Sequence, residues 1–156
     1  MPHDRAMEQL RREISAEEYA AIRAEWKRHS IAEDERDIAG LLSTLTEDCV
    51  YQVFPGGYTW HGLEGAEQFY THLLTAFADI TFELTNIVIG PQGVCEEATV
   101  RGTHLARWFD RPATDTMVEF TVVIFFPWDR ERRQFKGERV FFLLGDEGRG
   151  TRDEGR

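Results

Sequence analysis

The sequence predicts an α+β fold, and three observations carry that reading. Apolar residues recur at helical spacing through the first half of the chain, long β-branched and aromatic runs fill the second half, and the two patterns do not alternate as a parallel sheet with crossover helices requires. At 156 residues the chain suits one compact domain. A chain of this size buries about 68–70% of its unfolded surface, enough for a core without disulfide or metal staples.

Residues 1–15 are charged and weakly patterned, and read as an extension before a domain spanning 16–144. From Ala16 a helix begins, with Tyr19, Ile22, Trp26 and His29 at i, i+3, i+7 and i+10 on one face, which puts His29 on the buried side. Ser30-x-x-Glu33 has the form of a capping box, and Asp37 is a second candidate cap before Ile38, Leu41, Leu42 and Leu45. Two helices with a break within 30–37 follow from this. A strand is expected over Cys49–Phe54, stopped by Pro55-Gly56-Gly57, with a short return through Tyr58–His61. A third helix opens at Gly62–Gly65 and carries Phe69, Leu73, Leu74 and Phe77 to its end near Ala78. Three or four long strands come next, over Ile80–Gly90, Val94–Leu105, Met117–Phe126 and Phe135–Leu144, read as an antiparallel meander. Residues 145–156 are nearly all Gly, Asp, Glu, Arg and Thr, the composition of a disordered tail.

The charge balance, 18 basic against 28 acidic residues and a net of −10, argues against nucleic acid and anionic membrane surfaces as partners. No apolar run is longer than the five residues of Val122–Phe126, far short of the ~20 residues of a spanning helix, and Pro2-His3-Asp4-Arg5 is no apolar leader. A cytoplasmic protein is expected. Cys49 and Cys95, with no metal-spaced His or second Cys nearby, read as free thiols. His61-Gly62-Leu63-Glu64 is too turn-like for a metal site, and no glycine-rich phosphate or dinucleotide loop occurs, so neither metal nor cofactor is called for.

Strand alternation splits each strand into two rows. Ala98, Val100, Gly102 and His104 form an inward row, and Val118, Phe120, Val122, Ile124 and Phe126 form another. In the last strand Lys136, Glu138, Val140 and Phe142 oppose Phe135, Gly137, Arg139 and Phe141, so either Glu138 or Arg139 points inward. An inward charge needs a partner or a wet pocket, which makes it a site candidate. The other row leaves Met117, Val123, Phe125, Phe135, Phe141 and Leu143 on an outer face too apolar for solvent, and a homodimer through that face is expected.

The segments DCVYQV at 48–53, WHGLEGAEQFY at 60–70, RGTHLARWFDRPATD at 101–115 and FKGERVFF at 135–142 together resemble the SnoaL-like polyketide cyclases. These belong to the nuclear-transport-factor-2-like superfamily, with ketosteroid isomerase, scytalone dehydratase and limonene epoxide hydrolase. The resemblance covers roughly 19–143 and implies a cystatin-like cone, a curved antiparallel sheet wrapped over about three helices around an apolar pocket. The aspartate that the antibiotic-biosynthetic cyclases use as acid/base falls on Val140, and their pocket histidine on Ile124. That registration turns the Ile124 and Val140 rows toward the pocket, so Glu138 would point in and Arg139 out.

The implied function is cofactor-independent proton transfer on a small apolar carbonyl, enol or epoxide compound, with Glu138 as base or acid and His104 assisting. His29, Trp26, Tyr51, Trp60, Phe120, Ile124, Val140 and Trp108 are the candidate ligand-binding residues, with Arg107 and Trp108 read as a rim or lid. A non-catalytic pocket protein and a protein-interaction module of the same fold stay open beside the enzyme, because this scaffold hosts unrelated functions.

Overall fold

A computed structural model of the protein describes residues 2–143, without the side chains of Pro2 and Leu143. The elements in order are α1 (Pro2–Arg11), α2 (Ala16–Asp34), α3 (Ile38–Ser43), β1 (Leu45–Phe54), β2 (Tyr58–His61), α4 (Gly62–Ala76), β3 (Thr81–Gly90), β4 (Gly93–Thr103), β5 (Met117–Asp129) and β6 (Gln134–Leu143). The strands make one six-stranded sheet in the order β2-β1-β6-β5-β4-β3. The four strands β3 to β6 form the expected antiparallel meander. β1 then lies parallel to β6, a pairing between first and last long strands that local sequence patterns do not reveal. Helix α4 packs on β1 and β2, α2 on β3 and β4, and α3 sits between α2 and α4, so the helices cover one face of a curved sheet.

Four local expectations are corrected. The charged segment before residue 16 holds α1, a helix whose side chains from His3 to Arg11 are all exposed. Ser30 does not cap: α2 runs through it to Asp34, its own N-cap being Ser15, whose oxygen accepts from Glu18 N–H. Asp37 caps α3 by accepting from Gly40 N–H at 2.9 Å. Leu45 is not on a helix: Thr44 closes α3, and Leu45 starts β1 with its side chain buried. Tyr19, at the start of the face that buries Ile22 and His29, is 45% exposed, because that end of α2 overhangs the sheet beside Glu18 and Arg130. The tail at 145–156 lies outside the described residues.

The inward rows of β4 and β5 bury Val94, Ala98, Val100, Val122, Ile124 and Phe126, as alternation requires. β6 departs from strict alternation. One extra residue on β6 shifts the register against β5 between Phe125 and Trp128, and Gly137 adopts φ +111, where a side chain would drive its Cβ into the Val50 carbonyl oxygen. This bulge reverses the parity of the strand, so Phe135 before it and Glu138 after it are both buried. Phe135 therefore belongs to the core, packed on Phe126 and Trp128, and not to the outer face.

Candidate functional site

Glu138 is 2% exposed and is held from both layers of the fold. Its Oε1 lies 2.9 Å from His29 Nε2 of α2, accepts from the Tyr70 hydroxyl of α4 at 2.7 Å and from the Tyr51 hydroxyl of β1 at 3.3 Å. The two tyrosine oxygens are 2.7 Å apart, and Tyr70 Oη is 3.0 Å from His29 Nε2. Thr44 Oγ1 donates to the Leu41 carbonyl, which leaves its oxygen to accept from His29 and places a proton on Nδ1, 2.7 Å away. One proton then remains to be shared between His29 Nε2 and Glu138 Oε1, giving either imidazolium with carboxylate or imidazole with carboxylic acid. Burial, and next the Glu138 charge, push both tyrosine hydroxyls well above their ordinary range, so they stay donors. Among the described residues no hydrogen bond reaches Glu138 Oε2.

The cavity beside it is apolar except for Glu138 and Glu33, and its walls include Val53, Phe69, Trp108, Phe120, Ile124 and Val140. Its volume is about 30 Å3. Among the described residues no arginine or lysine lines it. Glu33 carries no hydrogen bond or ion pair from its carboxyl among the described residues; burial, reinforced by the Glu138 and Glu96 charges, raises its pKa well above the usual carboxylate range. Glu96, inward on β4, accepts from Trp26 Nε1 at 3.0 Å. Burial first, then Glu138, push Glu96 up to about 7, and the Trp26 bond pulls the other way. Glu138 and Glu33 thus line one apolar cavity, and Glu96 lies near enough to feel the Glu138 charge.

Of the residues singled out from the sequence, Phe120, Ile124, Val140 and Trp108 line the cavity with Glu138. His29 and Tyr51 stand behind the carboxylate as its partners, not at a pocket mouth. Trp26 holds Glu96, and half-buried Trp60 packs edge-on against Phe69 without lining the cavity. His104 is buried but belongs elsewhere: its ring stacks on Phe77 at 5.0 Å and is not part of the cavity wall, because its place at the far end of the β4 row puts it against the end of α4. Arg107 is exposed. Sequence reasoning missed Glu33, Glu96, Tyr70 and Thr44. Glu96 was available as the continuation of the Ala98 row, and Glu33 stands four residues after His29 on the same helical face, where the cap reading concealed it.

A curved sheet covered by helices on one face, enclosing an apolar interior with buried acids, defines the nuclear-transport-factor-2-like cone. Within that class the chain belongs to the SnoaL-like domain family, whose model matches residues 26–133. Solved structures agree on the fold. A provisionally assigned SnoaL-like polyketide cyclase from Jannaschia sp. CCS1 superposes with a TM-score of 0.71 at 16% identity, over 84% of this chain and 90% of that one. A second such assignment, from Shewanella denitrificans OS-217, gives 0.68 at 11% identity over 78% and 90%. AclR from Streptomyces galilaeus, provisionally a hydroxylase, gives 0.65 at 17% identity over 80% and 76%. No curated protein matches this sequence with significance. Among the described residues no helix is long and apolar enough to cross a membrane, and no group of three His, Cys, Asp or Glu side chains is arranged to hold a metal ion.

Proposed function

We propose that the protein is a cofactor-independent enzyme that moves a proton on a small, largely apolar carbonyl, enol or epoxide compound. The observation that carries this reading is the way Glu138 is held: Oε1 is fixed by His29, Tyr70 and Tyr51, while Oε2 is left without a partner beside an apolar cavity. A carboxylate in that setting can take a proton from carbon next to a carbonyl, and the His29 ring behind it can hold the charge or the proton. Glu33, on the same cavity with its pKa raised, supplies the neutral carboxylic acid that returns a proton to oxygen. Two acids in one site with environments that separate their roles is the pattern expected of an acid/base pair. The assignments of the Jannaschia and Shewanella neighbours as cyclases support an enzymatic reading. In this reading Glu33 and His29 take the assisting role that the sequence reading gave to His104.

The test is deuterium exchange into the methyl group of acetophenone in D2O, followed by NMR. Wild-type protein is expected to accelerate exchange, and Glu138→Gln to lower it by roughly 100-fold or more. Equal exchange by the two proteins overturns the proposal.

A second reading has its own observation. A cavity of about 30 Å3 and a carboxylate already holding three partners also suit a non-catalytic protein that opens to bind an apolar metabolite. It predicts saturable binding of the same ketone, unchanged in Glu138→Gln, with no exchange. In either reading the protein is proposed to act as a homodimer through the outer sheet face, and its two free thiols, Cys49 and Cys95, fit a cytoplasmic setting.

A further inference from the structure

The chain between β4 and β5, 104–116, folds back against α4 and β2. It is fastened at its ends by the His104 N–H to Thr116 carbonyl and Asp115 N–H to His104 carbonyl bonds, and at its tip by reciprocal Trp108 and Arg111 backbone bonds of 2.9 and 3.0 Å. The Trp108 ring lies flat on His72 of α4 at 4.8 Å, and Phe109 lies flat on Tyr58 of β2 at 4.1 Å. Trp108 is 4% exposed, and among the described residues its indole N–H, fully buried, has no hydrogen-bond acceptor. A buried donor left without an acceptor costs about 1–3 kcal/mol, so one retained in a cavity wall calls for an explanation.

The same indole stands between two spaces. Inward is the cavity of about 30 Å3 with Glu138 and Glu33; outward is a groove of about 230 Å3 bounded by Pro55, Tyr58, Phe109 and Arg111. Val53, Trp108 and Phe142 line both. Neither space alone, about 30 Å3 inward and about 230 Å3 outward, reaches the roughly 300 Å3 at which small-molecule sites begin. The Trp108 ring is thus a wall common to both.

We propose that inner cavity and outer groove are one ligand site gated by Trp108, and that the indole N–H of Trp108 is the donor for the single acceptor oxygen of an otherwise apolar aromatic ketone or enol. The walls select for such a ligand: aromatic faces surround it, the Glu138 carboxylate bars an anionic group from the inner end, and one orphan donor meets one oxygen. This deepens the proposed function by naming the group that receives the oxygen, and it rests on that reading only for the proton-transfer step.

The test uses the full-length protein with acetophenone and with isopropylbenzene, its near-isosteric hydrocarbon, followed by NMR of the four tryptophan indole N–H groups, with Trp108 assigned from the Trp108→Phe spectrum. Acetophenone is expected to move the Trp108 indole proton downfield and isopropylbenzene to leave it near its starting position. Trp108→Phe is expected to weaken acetophenone about tenfold, the worth of one buried hydrogen bond, and isopropylbenzene by less than threefold. The unmodified protein supplies the indole shift, so the proposal stays falsifiable if the variant is unstable. Equal response of the indole proton to both probes, equal weakening of both, or failure of both to bind at millimolar concentration overturns it. An indole shift without deuterium exchange would leave this inference standing and remove the proton-transfer reading; exchange that is indifferent to Trp108→Phe would do the reverse.

Discussion

His29 Nε2 and Glu138 Oε1 stand 2.9 Å apart although 109 positions separate them in the chain, so this contact fastens α2 to β6. Both side chains are almost fully buried. The energetic consequence is asymmetric, since removing one member strands the other without solvent. Glu138→Ala and His29→Ala are each expected to lower stability by about 3–5 kcal/mol, and the double variant to lose less than the sum. Urea denaturation of the four proteins measures the coupling, and additive losses would show that the pair does not act as a unit.

The Trp26 indole and the Glu96 carboxyl make a second link between α2 and the sheet, and this one should make stability depend on pH. Glu96 holds its proton up to about 7 in the folded protein, whereas an unfolded glutamate releases it near 4.5. The folded state therefore binds more protons between those values, and stability falls as pH rises from about 4.5 to about 7 and levels off above. At about 1.4 kcal/mol per unit the loss is on the order of 3 kcal/mol. Glu96→Gln keeps a neutral acceptor for the indole, so it should match wild type at pH 5 and exceed it at pH 8. A stability difference that stays constant over pH 5–8 would refute the assignment.

The elements that sequence reading located are those whose patterns are local. Ile22 and His29 repeat at helical spacing, the β5 row from Val118 to Phe126 alternates without interruption, and the sequence reading and the structure agree on both. What local pattern cannot supply is parity across a bulge and proximity across the sheet. The backbone at Gly137 inverts β6, which buries Phe135 and Glu138 together although they fall in opposite rows of the sequence. Tyr70 and Tyr51 meet, and Thr44 joins them through His29, only because β1 pairs with β6 and α4 packs on β1, and nothing in their own surroundings marks them as a network. His104 was placed inward by a correct alternation, yet inward along a strand is not the same as adjacent to a site.

Gly137 is thus the residue that aims Glu138, and its replacement should cost more than a surface glycine would. Its φ of +111 lies where other residues are strained, and a Cβ there meets the Val50 carbonyl. Gly137→Ala is expected to lose at least about 1–3 kcal/mol from the conformation alone. It should also disturb the β1–β6 pairing, seen as faster amide exchange at residues 50–54 and 138–141. Wild-type stability and exchange in this variant would mean that the bulge relaxes at little cost and does not set the direction of Glu138.

The outer face of the sheet keeps Met117 63%, Val123 36% and Phe141 41% exposed after Phe135 is removed from it. Phe54 and Phe141 stack at 4.8 Å, and the Arg139 guanidinium covers both rings at 5.3 and 5.7 Å, so part of this surface is already masked by the chain itself. The remainder, with the shallow groove formed by Thr121, Val123, Phe141 and Pro55, is the surface proposed for a second copy. Light scattering after size exclusion at micromolar concentration is expected to give twice the chain mass. Val123→Glu, which puts a charge at the centre of the face without touching the cavity, is expected to give a monomer with indole N–H resonances for Trp26 and Trp108 unmoved. A wild-type monomer would reject this face as an interface, and a Val123→Glu dimer would move the interface elsewhere on the molecule.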